Sequence, residues 1–269
     1  MDLRLGKKIA LVTGSSKGIG AGIARGLARE GATVIVHGRD FDKARVVAKQ
    51  IADEGGTAHV VTGDLIDDEQ VDAMLRQVRN VAGDVEILVN NAGGSGGASD
   101  WSTTAPEAWA ASYDANVLAA VRMAKALLPA MRRKRWGRII NISSLAGLMP
   151  PARNPDYSAA KAAMLAMSTS MAKAVAAEGV TVNTVSPGTI HSEKLDGKFR
   201  EVAESKGLAQ DASWGEVEAA ILPLFAQVPV GRVGTLDEIA DAVAFLASPR
   251  AAYITGSNIR LDGGMLPTT

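Results

Sequence analysis

Tyr157 and Lys161 stand four residues apart in the stretch NPDYSAAKAA, where an alanine-rich helical pattern begins. Four residues turn an α-helix through about 400°, so both side chains project from one face. A phenol beside an ammonium can move protons. Free tyrosine, with a pKa near 10, is a poor base at neutral pH. A cation about 4 Å away favours phenolate by roughly 4 kcal/mol at an effective dielectric of 20. Even half of that makes phenolate more than about tenfold easier to form. The spacing alone has a second reading, in which Tyr157 anchors the helix end and Lys161 faces water.

TGSSKGIG carries a different chemistry. Gly14, Gly18 and Gly20 follow a short apolar run and open a helical pattern, with the spacing G-x-x-x-G-x-G. Such glycines let a turn bend tightly and let backbone approach a pyrophosphate, whose charge meets the free N–H groups of the helix start. Ser16, Lys17 and Ile19 lie inside the same candidate turn. A plain tight turn between strand and helix is the alternative.

HGRD closes the next apolar run. NAD sites commonly place a carboxylate there for the ribose hydroxyls. Gly38 leaves that position empty and implies space beside the ribose. Arg39 offers a two-pronged, charge-assisted grip on a 2′-phosphate, with Lys17 approaching the same group. NADP is therefore expected over NAD. Asp40, two residues late, is the competing NAD-type acceptor, and solvated surface is the other reading of Lys17 and Arg39. Asp64, followed by Leu65, suits a contact to the adenine amino group.

These residues need a sheet behind them. Apolar runs at Lys8–Gly14 and Ala32–Gly38, then TAHVVTGD, VEILVNNAG, GRIINISS, GVTVNTVSPG and SNIRLDGG, predict seven strands. Amphipathic stretches separate the early ones, including 68–80, and longer helices are expected over about 106–135 and 157–178. Strands alternating with helices indicate a doubly wound, predominantly parallel sheet covered on both faces. No Pro/Gly-rich break divides the chain, so 1–269 reads as one domain. The long segment Ser192–Pro229 departs from the alternation. Its Phe199, Trp214, Leu222 and Phe225 suit either an ordinary helical excursion or a lid over an apolar ligand.

Composition narrows the function classes. The chain has 269 residues, 47% hydrophobic and 22% charged, which suits a globular protein. Twenty-nine Lys plus Arg balance twenty-nine Asp plus Glu, so no overall field would gather nucleic acid or acidic lipid. The absence of cysteine excludes disulfides, thiolate catalysis and cysteine metal sites. His37, His59 and His191 show no metal-motif spacing, and no metal is expected. The first apolar run is too short for a signal segment or membrane span. A cytoplasmic location is expected.

TGSSKGIG, NNAG, YDANV, NISS, YSAAK and SPGTI, in this order over nearly the whole chain, resemble the classical short-chain dehydrogenase/reductase family. The resemblance implies a single Rossmann-type domain and NADP(H)-dependent interconversion of a carbonyl and a secondary alcohol. It implies catalytic roles for Asn116, Ser144, Tyr157 and Lys161, with Ser143 as the adjacent fallback for Ser144. Tyr157 would be general acid in reduction and base in oxidation. Lys161 would bind the nicotinamide ribose, Ser144 would polarise the carbonyl, and Asn116 would hold a relay water. Asn91, Ala92 and Gly93 would border the cofactor, and Pro187, Gly188 and Ile190 would line the nicotinamide.

Within the family the chain looks nearest to the 3-oxoacyl-(acyl carrier protein) reductases. Arg132, Arg133, Lys134 and Arg135 sit where those enzymes attract an acidic carrier, and Lys173 stands where they usually carry arginine. The longer Ser192–Pro229 segment departs from them and admits small ketones, sugars, cyclic alcohols or steroids. A homotetramer is expected from the two long helices and the GSNIRLDGGMLP terminus. A non-catalytic NADP-binding protein is the alternative class.

Overall fold

The computed structural model describes residues 1–96 and 100–267; positions 97–99 and 268–269 of the 1–269 reading lie outside the described residues. The first half alternates β1 (Ile9–Val12), α1 (Gly18–Arg29), β2 (Thr33–Gly38), α2 (Phe41–Asp53), β3 (Thr57–Thr62), α3 (Asp68–Val81) and β4 (Ile87–Asn90). There follow α4 (Pro106–Tyr113), α5 (Ala119–Lys134), β5 (Gly137–Ile142), α6 (Pro155–Val175) and β6 (Val180–Pro187). The chain then forms α7 (Glu193–Ser205), α8 (Trp214–Phe225), α9 (Leu236–Ala247) and β7 (Asn258–Leu261). All seven expected strands form one sheet in the order β3-β2-β1-β4-β5-β6-β7, with every neighbouring pair parallel.

Alternation of side chains sends each strand into two cores. Ala10, Val12, Val34, Val36, Ile87, Val89, Ile140 and Ile142 join the layer with α1 and α9. Leu11, Ile35, Leu88 and Ile139 point the other way, toward α3 and α5. Each such aliphatic side chain contributes about 1.5–3 kcal/mol on burial. Leu11 pairs with Ile35 on one side and Leu88 on the other, so β1 is the strand from which the sheet grows in both directions. The loops leaving β1 and β4 diverge there and open a crevice at the strands' C-terminal ends.

The expected 106–135 helix is interrupted. A π-helical turn, Asp114–Leu118, separates α4 from α5 and carries Asn116. Arg122 anchors this turn, bonding Asp114 at 2.6 Å and Asp68 of α3 at 2.7 Å. The 157–178 expectation corresponds to α6 plus a 3₁₀ turn, Ala176–Glu178. Among the described residues, no helix is long and apolar enough to cross a membrane.

The 192–229 excursion forms the pair α7 and α8, with a separate small core of Phe199, Ala203, Val217, Ile221, Leu222 and Val233. Phe199 is fully buried in it. Of the apolar residues that suggested a lid, Phe199 and Leu222 are consumed in holding the two helices together and Trp214 packs against them, whereas Phe225 stays exposed.

Candidate active site

Gly14 follows β1 with φ +63°, and a β-carbon there would stand 2.9 Å from Ala92 Cα in the loop after β4. Only glycine allows that turn and that approach together. Thr13 and Asn91 close the gap. Thr13 Oγ1 accepts the N–H groups of Asn91 and Ala92, both at 3.0 Å. Asn91 Nδ2 donates to the carbonyls of Thr13 at 2.9 Å and Gly14 at 3.1 Å. Asn91 therefore braces the glycine loop through its side chain.

Side chains of Asp40, Asp67, Ser192, Ser213 and Thr235 cap the starts of α2, α3, α7, α8 and α9. The start of α1 has no such cap; extended Lys17 precedes it. Its first N–H groups stay available beyond the glycine turn, and a pyrophosphate fits that arrangement. Gly18 and Gly20 lie in this first turn, with Ile19 packed against the core.

At the end of β2 the structure corrects one expectation. The space inferred at Gly38 is filled by Ser16, whose Oγ would lie 2.8 Å from a β-carbon added there. Gly38 serves the close approach of the glycine loop to β2. Arg39 is 79% exposed, and its Nη1 lies 3.7 Å from the Asp64 carboxylate. The expected phosphate ligand and the expected adenine ligand thus face each other. Asp40 is engaged as the cap of α2, accepting from Lys43 N at 3.2 Å. Leu65 is buried behind Asp64.

Ser144, Tyr157 and Lys161 come together where β5 meets α6. Ser143 Oγ donates to the Lys161 carbonyl at 2.8 Å and is buried, which leaves Ser144 as the available hydroxyl. Ser144 lies beside the Tyr157 phenol. Lys161 Nζ lies 5.6 Å from the Tyr157 ring centre and donates to the Ile142 carbonyl at 2.8 Å. Burial pulls the Lys161 ammonium down to about 8. Burial also raises the Tyr157 phenol, and the partial opposition comes from Ser144. Desolvation is thus the larger influence on the phenol, ahead of the neighbouring hydroxyl.

Asn116 is buried in the π turn, against α6. Its Oδ1 accepts Gly94 N–H at 2.9 Å, and its Nδ2 donates to the carbonyls of Gly94 at 3.1 Å and Ser112 at 2.9 Å. The side chain clamps the loop just past Gly93. Pro187 ends β6, Gly188 N–H donates to the Leu261 carbonyl at 2.9 Å, and Ile190 packs into the main core.

A glycine turn at an uncapped helix and a Ser–Tyr–Lys cluster at the same edge of a parallel sheet invite comparison with known proteins. Residues 8–202 match the short chain dehydrogenase family. The chain belongs to that family. It is 42% identical to the 3-oxoacyl-(acyl-carrier-protein) reductase FabG of Vibrio cholerae, over 98% of this chain and 99% of that protein. The crystal structure of L-sorbose reductase from Gluconobacter frateurii, complexed with NADPH and L-sorbose, superposes with a TM-score of 0.92 at 34% identity, covering 100% of both chains. A gluconate 5-dehydrogenase from Burkholderia cenocepacia, in complex with NADP and tartrate, gives 0.83 at 29% identity, covering 100% of this chain and 98% of that one.

As a short-chain dehydrogenase, the protein is an NADP(H)-dependent oxidoreductase that interconverts a carbonyl and an alcohol by hydride transfer. Motif spacing did not single out Thr13, His37 and Ser143 as structural partners of the site. Their role is to bond backbone, and backbone partners leave no mark in a spacing. One signal was present: all three are polar residues in or beside strands that are otherwise apolar.

Proposed function

We propose that Tyr157 exchanges the proton with the substrate oxygen, donating it in reduction and recovering it in oxidation. NADPH, when bound, supplies the hydride to the carbonyl carbon. Ser144 donates a second hydrogen bond to the same oxygen. Lys161, a buried ammonium on the next helical turn, stabilises the phenolate left on Tyr157 and is placed to hold the nicotinamide ribose. Asn116, its side chain occupied by Gly94 and Ser112, offers the relay a water site through the main chain that the π turn opens. Arg39 and Lys17 hold the 2′-phosphate, Arg39 leaving Asp64 to do so. The observation that carries this reading is the meeting of buried Lys161 with Tyr157 and Ser144 where β5 gives way to α6.

For the substrate we infer a small, free, polar ketone, with α7 and α8 closing over it. Three points support this. Phe199, Val217, Ile221 and Leu222 of the excursion pack on one another, leaving Leu224 and Phe225 exposed, while His191, Asp196 and Arg200 form a polar group at its base. The likeness to a sugar reductase extends over the full length. Most of the basic run is engaged locally: Arg132 pairs with Glu178, Lys134 with Asp84, and Arg135 bonds the Ala177 carbonyl. The second reading, a carrier-linked 3-oxoacyl substrate, is favoured by the FabG likeness and by the exposure of Arg133 and Lys173. Rates of NADPH oxidation with polyhydroxy ketones, a free 3-oxoacyl thioester and its carrier-linked form decide between them. A preference above about tenfold for the carrier-linked form replaces the first reading.

We also propose a homotetramer. Although α4 is rich in alanine and carries Trp109 and Tyr113, none of its residues is buried, and α6 exposes Ala166, Thr169, Ser170 and Ala174. A monomeric mass in solution at micromolar concentration would remove this proposal.

A further inference from the structure

Three loops must hold a fixed mutual position to receive the adenosine half of NADP(H): those leaving β1, β2 and β3. One side chain touches the first and the third from its seat near the end of β2. His37, the penultimate residue of β2, is 3% exposed. Its Nδ1 lies 3.0 Å from the backbone N of Gly14, and its Nε2 lies 3.1 Å from the carbonyl O of Gly63. Its main chain is tied to the same turn, with N–H donating to Ser15 Oγ at 2.9 Å and C=O accepting Ser15 N–H at 2.8 Å.

The partners dictate the ring's protonation. A backbone N–H is only a donor and a carbonyl only an acceptor, so Nδ1 must present its lone pair and Nε2 must carry the hydrogen. Burial favours the neutral ring, against the nearby Asp64 carboxylate. Both contacts end on residues next to proposed cofactor ligands: Gly14 begins the pyrophosphate turn, and Gly63 precedes Asp64.

We propose that His37 is a positioning residue for NADP(H), a neutral imidazole strut that sets the glycine turn against the adenine-side loop. Leucine at this place fills the space but leaves the Gly14 N–H and the Gly63 carbonyl without partners. Amides retain an acceptor and a donor side by side. The strut serves parts of the cofactor common to NADPH and NADH, so its loss should weaken both in proportion. A lesion at Arg39 changes their ratio instead.

The test uses the whole protein, with binding followed by quenching of tryptophan fluorescence. His37→Leu should raise the NADPH dissociation constant at least about tenfold, the effect of leaving a buried backbone partner unmade. It should raise KM for NADPH and NADH alike and leave kcat at saturation within about threefold. At least one of His37→Asn and His37→Gln should return the dissociation constant to within about threefold of wild type. Nitrogen NMR of the cofactor-free wild type should find the proton on Nε2. The proposal is overturned by wild-type affinity in His37→Leu, by a loss confined to kcat, by failure of both amide variants in folded protein, or by a proton on Nδ1. Should His37→Leu not fold, the amide variants and the wild-type tautomer still decide.

Discussion

The two ends of the crevice are built on different principles. At the adenosine end, the loops after β1, β2 and β3 are fixed by short polar bonds to backbone from Thr13, Asn91, Ser15 and His37. At the other end, α7 and α8 are held to each other by an apolar cluster around Phe199. They join the end of β6 through His191, which stacks on Trp214 at 3.9 Å and reaches Asp196 at 3.3 Å. Backbone bonding within fractions of an ångström suits a ligand that never changes. A self-packed helix pair can be lengthened or reshaped without disturbing the sheet. The difference sets a rigidly braced cofactor end against a separately packed substrate end within one domain, and it can be broken experimentally.

The largest effect should come where the two ends meet. Tyr157→Phe should keep the fold and NADPH affinity yet lose at least about a hundredfold in turnover, the lower range for an acid–base contribution. Undiminished reduction by this variant would contradict the role of the phenol. Lys161 adds a pH signature. Its ammonium titrates near 8 in the folded protein against 10.5 ordinarily, so the unfolded chain holds the proton more firmly between those values. Burying it therefore costs stability in full below about 8, and the cost fades as pH climbs toward 10.5. The charge that supports phenolate is lost over the same rise. kcat/KM should fall through an alkaline limb near 8, while the thermal stability of Lys161→Met relative to wild type becomes less favourable. A flat profile from pH 7 to about 10 would place the lysine elsewhere in the mechanism.

Next in size are changes at the rigid end. Arg39→Ala should reduce the NADPH/NADH ratio of catalytic efficiencies at least about tenfold, the equivalent of one charged hydrogen bond. An unchanged ratio would mean that Lys17 or another group reads the 2′-phosphate. Gly38→Asp should lower NADPH use both through like charge and because Ser16 must move, its Oγ being 2.8 Å from the new β-carbon. The same movement of Ser16 offsets the ribose acceptor that the aspartate offers NADH. Gly38→Ala separates the two causes, since it carries the steric part without the charge.

This asymmetry also explains what the sequence could reveal. The sheet was legible because β1, β4 and the centre of β5 read as apolar runs bounded by glycine or polar residues, while β6 carries its valines interspersed with polar residues. The placement of Gly14 at the turn and of Tyr157 and Lys161 on one helix was legible because it depends on spacing along one turn or one helix. The pairing of Arg39 with Asp64, the filling of Gly38 by Ser16 and the strut at His37 join residues 22–26 apart across loops, where no period connects them. The π turn at Asn116 also escaped, because one extra residue in a helical turn leaves the surrounding amphipathic pattern nearly intact. The burial of Tyr157 escaped as well, because pair geometry is visible in sequence and desolvation is not.

At the adjustable end the expected effect is smaller and of another kind. Phe199→Ala removes a fully buried ring and should cost the excursion about 3–5 kcal/mol of packing. Because that core is separate, proteolysis should concentrate at 192–229 while the sheet stays protected. KM for the ketone should rise about fivefold or more, with the NADPH dissociation constant unchanged. Equal weakening of both ligands would show that the two ends are mechanically coupled, and the contrast drawn above would fail.

The smallest effect is expected farthest from the crevice, and it separates the two substrate readings. Arg132, Lys134 and Arg135 are engaged with Glu178, Asp84 and the Ala177 carbonyl, so reversing their charge would also disturb local structure. Arg133 and Lys173 are exposed, and Lys173 borders a shallow groove on α6 with Leu165, Ala166 and Ala174. The double variant Arg133→Glu, Lys173→Glu changes charge without touching the crevice, and its oligomeric mass is measured alongside because Lys173 lies among the α6 residues of the proposed tetramer contact. For a small free ketone, kcat/KM should stay within about twofold of wild type, because exposed charges beyond a Debye length of about 8 Å are screened at physiological salt. A carrier-linked substrate would respond differently: an acidic carrier meets repulsion where it had attraction, and its association rate falls steeply at low salt. The informative quantity is the ratio of the two changes, measured at two ionic strengths. A ratio near one at both supports the free ketone, whereas a loss above about tenfold confined to the carrier-linked substrate and relieved by salt would assign these cations to carrier docking.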